Sequence, residues 1–189
     1  MQRSCSPWRL RSRELALGER TLVMGVLNVT PDSFSDAGSF FRRDRAVARA
    51  LQMLEEGADI LDIGGESTRP GAAVADSGVS AQEELRRVLP VIEDLLRERA
   101  TTVISVDTYK AEVAVAALQA GAEIVNDVSA LRWDEQMKPT LAQHPCGVVL
   151  MHTHGRPQEW KTLPPPQDIV KEVSGELREW ASDAISAGI

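Results

Sequence analysis

Short apolar runs and longer amphipathic stretches alternate along this chain. The runs lie at 22–27, 60–63, 103–106, 124–125 and 148–151. They are β-branched and lack strict apolar–polar alternation, as expected for strands buried on both faces of a sheet. The amphipathic stretches lie at 44–56, 80–99, 109–120, 134–143 and about 167–187, with apolar residues at helical spacing. A βαβα order of this kind predicts parallel strands joined by helical crossovers, in a closed barrel or an open doubly wound sheet.

An internal echo narrows the choice. GADILD at 57–62 and GAEIVN at 121–126 share one plan. A glycine stands where a helix should end, because only glycine enters the left-handed cap cheaply. An apolar strand follows, and Asp62 or Asn126 stands near its far end. Gly188 marks a third such helix end at near-equal spacing. That interval equals two βα units of a barrel that takes about 250 residues for eight. The chain then stops where a sixth strand should begin, which reads as a fragment or a truncated product.

Polar chemistry gathers after the strands. The first run leads into Asn28, Thr30, Asp32, Ser33, Phe34, Ser35 and Asp36, and the second into Gly64, Gly65, Glu66, Ser67, Thr68, Arg69, Pro70 and Gly71. The third leads into Asp107, Thr108 and Lys110, the fourth into Asn126 and Asp127, and the fifth into Met151, His152, Thr153 and His154. In a parallel barrel these ends share one face, where barrel enzymes place their sites. Taken singly, several have plainer readings. Asp107 and Asn126 each suit the cap of the next helix. Asp62 suits a structural acceptor for backbone N–H groups, and Gly64-Gly65 either a turn or a close backbone approach. His152 and His154 share a face, but with no neighbouring carboxylate in the sequence a polar lining fits better than a zinc site. Pro164-Pro165-Pro166 is a stiff extended spacer.

The bulk properties exclude more than they select. With 189 residues and 43% hydrophobic content, one globular domain or a large part of one is affordable. A net charge of −7 argues against nucleic-acid binding. No stretch approaches a membrane span, and Cys5 and Cys146 lack partners at metal-ligand spacing, which suits a cytoplasmic protein with reduced thiols. Residues 1–20 read as a partly disordered N-terminal extension, and 21–189 as the folded domain.

MGVLNVTPDSFSD at 24–36 and DIGGESTRPGA at 62–72 together resemble the dihydropteroate synthase family of folate biosynthesis, the sulfonamide target. ISVDTYKAEVA, GAEIVNDVSAL and VVLMH resemble its third-, fourth- and fifth-strand segments. The resemblance implies an α/β fold, a (β/α)8 TIM barrel of the pterin-binding type, here truncated after about five βα units. It implies a transferase that condenses 6-hydroxymethyl-7,8-dihydropterin diphosphate with p-aminobenzoate, giving 7,8-dihydropteroate and pyrophosphate with Mg²⁺. Asp107, Asn126 and Met151 match its pterin pocket. Asn28 matches the residue that helps hold Mg²⁺, and Arg69 shares the catalytic role with it. Thr68, Arg69, Pro70 and Phe34 match contacts to the diphosphate and p-aminobenzoate, with Asp32, Ser35 and Asp36 in the covering first loop. Full-length members are often homodimers and use no nucleic acid or membrane partner. The family's later D-P-G-x-G-F-G-K, Ser-Arg-Lys and Arg-x-His segments are not in this sequence, and the fifth loop around 153–166 departs from the usual pattern. The chain alone is therefore expected to be inactive. Two other readings remain: a non-catalytic partial barrel that binds pterin weakly, and a pterin-binding methyltransfer domain, which the intact NVTPDSFSD and STRPG loops disfavour.

Overall fold

The computed structural model describes residues 4–30, 39–66, 78–156, 159–160, 162–165 and 167–189, with only the backbone of 39–42. An antiparallel hairpin comes first, β1 (Ser6–Arg9) and β2 (Glu14–Leu17). Then follow β3 (Met24–Asn28), α1 (Ser39–Glu55), β4 (Ile60–Gly64), α2 (Ala81–Glu98), β5 (Val103–Asp107) and α3 (Ala111–Ala120). The chain continues through β6 (Ile124–Asp127), α4 (Met137–Gln143), β7 (Gly147–Leu150) and α5 (Ile169–Ser186). The five later strands form one parallel sheet in the order β3-β4-β5-β6-β7. That unbroken sequence order belongs to barrels; a doubly wound sheet reverses its order at a switch point.

The pairing register sorts the side chains into rows. One face carries, from bottom to top, Met24-Ile60-Val103, then Val26-Asp62-Ser105-Ile124-Gly147, then Asn28-Gly64-Asp107-Asn126-Val149. The opposite face carries Leu27, Leu61, Ile63, Ile104, Val106 and Val125, which join Ala46, Ala50, Val88, Ile92, Leu95, Val113 and Ala117 of the helices in the main core. Glycines cap three helices in the left-handed region as the echo predicts, with φ of 106° at Gly57, 115° at Gly121 and 92° at Gly188. On α2, Ser80 accepts from the Glu83 N–H at 3.2 Å and starts the helix.

The N-terminal segment departs from expectation. Within the stretch read as a partly disordered extension, the hairpin docks under the bottom row. Leu10 joins Ile60, Val103 and Ile124 in a small second core, with Trp8, Leu15 and Met24 against it. The buried Glu123 fastens the hairpin turn. It accepts from the Ser12 backbone N–H at 2.8 Å and from the Ser12 hydroxyl, and it pairs with Arg13 at 3.4 Å. Such a short segment folds because it covers apolar side chains that a parallel sheet leaves bare at its lower end.

Two other boundaries differ for local reasons. Helix α4 starts at Met137 rather than near 134 because Asp134 is otherwise engaged. Its Oδ2 accepts from the Ala111 N–H at 2.8 Å and its Oδ1 from the Gln136 N–H at 2.9 Å. Strand β3 is not buried on both faces: Val26 is 55% exposed. It pairs with β4 alone among the described strands, and the hairpin covers only the row below it.

Candidate functional site

The site is the top row and the segments that leave it. Asn28, Gly64, Asp107 and Asn126 occupy one register row on four adjacent strands, so the side chains of Asn28, Asp107 and Asn126 leave the same face of the sheet. Met151 follows β7 directly, 43% exposed, with its N–H on the Asp127 carbonyl at 3.2 Å. It lines a cavity of about 570 Å³ together with His152, His154, Trp160, Leu163 and Ile169. Asp32, Phe34, Ser35, Asp36, Thr68, Arg69 and Pro70 lie outside the described residues.

The capping readings of Asp107 and Asn126 fail. Lys110 stands at the N-cap of α3 and Gln136 at that of α4, and Asp134 serves the first N–H of α3. Both strand-end side chains are thereby left to the sheet face. Asn126 Nδ2 donates to Asp62 Oδ2 at 2.9 Å. Asp62 is indeed an acceptor, though from a side-chain amide rather than from backbone. The Ser105 hydroxyl lies beside it and favours its charge, yet neither Ser105 Oγ nor Asp62 Oδ1 closes a hydrogen bond of ordinary geometry among the described residues. Burial dominates and holds the Asp62 carboxyl above the usual range.

Asp107 is more perturbed. Burial, reinforced by the negative charges of Asp62, Glu84, Asp127 and Glu66, pushes its pKa up to about 7. No donor among the described residues meets this carboxyl, so a ligand that brings donors would favour its anionic form. Gly64 makes the room: a Cβ on it would meet Asp107 Oδ2 at 3.3 Å. At Gly65 a Cβ would meet Glu84 Cγ at 2.9 Å. Both glycines thus answer to close approach by the protein's own side chains.

Around this row the loops are tied down. Asp127 is buried and accepts from the Ser129 N–H at 2.7 Å and the Leu131 N–H at 3.1 Å, holding a turn in which Ala130 and Leu131 have φ of 53° and 63°. Arg132 donates to the Thr153 carbonyl at 2.9 Å and lies 3.8 Å above the Trp180 ring. His152 stacks on the same Trp180 ring, with centroids 5.2 Å apart. The fold corrects one reading here: each histidine does have a carboxylate beside it. His152 Nε2 meets Glu176 at 2.9 Å and His154 Nδ1 meets Glu172 at 3.0 Å, both from α5. Those contacts occupy ring nitrogens, and no group of three or more His, Cys, Asp or Glu side chains placed to hold a metal occurs among the described residues.

One cluster escaped the sequence reading. Lys110 lies between Glu66 and Glu84, and Tyr109 donates its hydroxyl to Glu66 Oε2 at 3.2 Å. The signal was Glu84. It stands in helical register with Val88, Val91, Ile92 and Leu95, a charge inside an apolar stripe, and it is 1% exposed.

Comparison with known proteins settles the family. The profile of the pterin binding enzymes matches residues 24–189. The chain belongs to that family. It is 46% identical over 175 residues to the dihydropteroate synthase of Bacillus subtilis, a match covering 93% of this chain and 57% of the relative. The dihydropteroate synthase of Synechocystis is also 46% identical, over 87% of this chain and 54% of its own length. Among solved structures, the Xanthomonas albilineans dihydropteroate synthase with 4-aminobenzoic acid superposes with a TM-score of 0.85 at 47% identity, covering 98% of this chain and 63% of that one. The Yersinia pestis enzyme with a sulfonamide drug complex gives 0.84 at 41% identity, over 97% of this chain and 64% of that one. The chain therefore has a five-stranded part of the α/β barrel fold of these enzymes and spans about three fifths of their length. Among its described residues no helix is long and apolar enough to cross a membrane.

Proposed function

We propose that this chain carries the pterin-binding part of a cytoplasmic dihydropteroate synthase. The observation that supports it best is Asp107. A dihydropterin presents an amino group and a ring N–H side by side, and one carboxylate accepts both. Asp107 is a half-buried acid in a row of strand-end polar groups, met by no donor among the described residues and left free of any helix cap. Asn126 would add amide contacts to the ring, fixed in its turn by Asp62. Met151 would pack on the ring face with its soft thioether. Thr68 and Arg69 are assigned to the diphosphate, Phe34 and Pro70 to the p-aminobenzoate ring, and Asp32, Ser35 and Asp36 to the loop that covers both.

No nucleophilic residue is required of the protein. Cys146 is held inert, its thiol pushed up to about 11 by burial. The attacking amine of p-aminobenzoate is neutral near pH 7. The residues assigned here bind, orient and exclude water, so catalysis falls to positioning and to charge stabilisation on the departing pyrophosphate. Mg²⁺ fits this donor set: it takes oxygen ligands and keeps several waters, so one protein oxygen at the strand end, the Asn28 amide, suits it better than a cage of carboxylates would. When bound it would neutralise diphosphate charge.

The test has two parts. Calorimetry should detect 6-hydroxymethyl-7,8-dihydropterin diphosphate binding to this chain. Pyrophosphate release with p-aminobenzoate should be absent from this chain and present in a version extended to full barrel length. An extended version that binds the pterin but releases no pyrophosphate would refute the synthase reading.

A further inference from the structure

Lys110 stands just past Asp107, at the N-cap of α3, yet its side chain turns back into the fold and is only 14% exposed. Its ammonium donates to Glu66 Oε2 at 2.5 Å and to Glu84 Oε2, and it sits 4.2 Å from the centre of the Tyr109 ring. Burial opposes the charge, but Glu66 and Glu84 together hold the ammonium above its ordinary range. The three partners come from separate pieces of chain: Glu66 follows β4, Glu84 lies in the first turn of α2, and Lys110 leads from β5 into α3. Glu66 Oε1 also accepts from the Val79 N–H at 3.3 Å.

This junction bears on Asp107 in two ways. Gly64, close before Glu66, pairs in register with Asp107 and walls one side of it: a Cβ added there would meet the carboxyl at 3.3 Å. Anything that fixes Glu66 fixes that wall. Asp107 also faces four acidic groups: Asp62 and Glu66 from β4 and its exit, Glu84 from α2 and Asp127 from β6. Lys110 is the cation set between two of them.

We propose that Lys110 is a positioning residue for the ligand-binding carboxylate: it ties the ends of β4 and β5 together and offsets part of the negative charge that Glu66 and Glu84 bring to Asp107. It contacts no substrate itself. What Asp107 binds rests on the pterin reading; the geometry does not.

The experiment is a pH titration of the Asp107 side-chain carbon by NMR in this chain. Lys110→Met should raise the midpoint by about one pH unit or more, since two nearby anions lose their counter-charge. Lys110→Arg should leave it within about 0.3 units. Glu84→Gln removes an anion and should lower it. A purely packing role for Lys110 would reduce the melting temperature and leave the midpoint alone, and an unmoved midpoint in a folded Lys110→Met chain overturns the proposal. If Lys110→Met does not fold, Glu84→Gln with and without Lys110→Gln decides: a higher midpoint in the doubly substituted chain supports the proposal, and equal midpoints overturn it. Calorimetry with the pterin diphosphate at pH 7 should show about tenfold weaker binding in Lys110→Met, recovered at higher pH. Should the unaltered chain bind no pterin while the midpoints move as stated, the pterin reading fails and the positioning device stands.

Discussion

The two ends of the parallel sheet treat their acids in opposite ways. At the lower end Glu123 is buried, and donors surround it: the Ser12 N–H and hydroxyl and the Arg13 guanidinium, with Arg11 at 3.9 Å. At the upper end burial and the charges of four other acids lift the Asp107 pKa to about 7. Asp107 ends β5 and Glu123 immediately precedes β6 of the same sheet, yet one is fastened by donors and the other meets none among the described residues. A fold that satisfies an acid at one end and starves it at the other has placed stability and recognition on different faces, which is the division of labour usual in barrels.

The largest expected effect strikes the lower end. Glu123→Ala strips the hairpin turn of its acceptor and leaves the Ser12 donors without a partner. It should cost about 2–3 kcal/mol of unfolding free energy. Urea denaturation would show it as a lowered midpoint, while the folded fraction keeps its pterin affinity. A loss of affinity matching the loss of stability would erase the distinction between the two ends.

Next in size is Asp107→Asn. It should weaken pterin binding about 100-fold, the scale of a lost two-point, charge-assisted contact. Binding of p-aminobenzoate should change far less. The same substitution should not destabilise the chain near neutral pH, because it removes a desolvated charge from an acidic neighbourhood. Equal losses for both ligands in calorimetry would count against the pocket assignment.

The pH dependence of stability follows from the same group. An unfolded aspartate titrates near 3.8, and Asp107 in the fold near 7. Below about pH 4 both states are protonated and the group contributes nothing. As pH rises toward 7 the unfolded chain releases its proton first, so the folded state loses ground, and above 7 the full cost persists. Relative to Asp107→Asn, the natural chain should lose on the order of 2 kcal/mol between pH 4 and pH 8, after a discount for partial exposure. A flat difference across that range would mean that Asp107 is not desolvated.

How far the sequence disclosed this follows from what each feature depends on. The glycine caps at Gly57, Gly121 and Gly188 were legible because a left-handed backbone is a local demand. The strand ends were legible because a parallel sheet turns them all one way. The hairpin was not, since β1 and β2 are short, their outward residues are exposed, and the residues that hold them, Ile60, Val103, Glu123 and Ile124, are distant in the chain. The Glu172 and Glu176 partners of the two histidines were equally hidden, being far along the chain on α5. Nor could spacing separate a cap from a ligand carboxylate at Asp107. That needed the sight of Asp134 doing the capping from another loop.

The smallest and sharpest test pairs two glycines. A Cβ at Gly147 would come within 2.6 Å of Leu10 Cδ2, and 3.1 Å of both Ile124 and Trp8. Gly147→Ala should therefore push the hairpin off its seat and cost about 1–2 kcal/mol, with no change in the Asp107 titration. A Cβ at Gly64 meets nothing closer than Asp107 Oδ2 at 3.3 Å. Gly64→Ala should cost under about 0.5 kcal/mol, yet it crowds the one carboxyl that has to stay open. It should weaken pterin binding roughly threefold, a fraction of a kcal/mol set against the packing terms. The same added methyl group would thus read as stability at one end of the sheet and as affinity at the other. If both changes move the melting temperature alone, the upper row is ordinary core and Asp107 has no ligand to wait for.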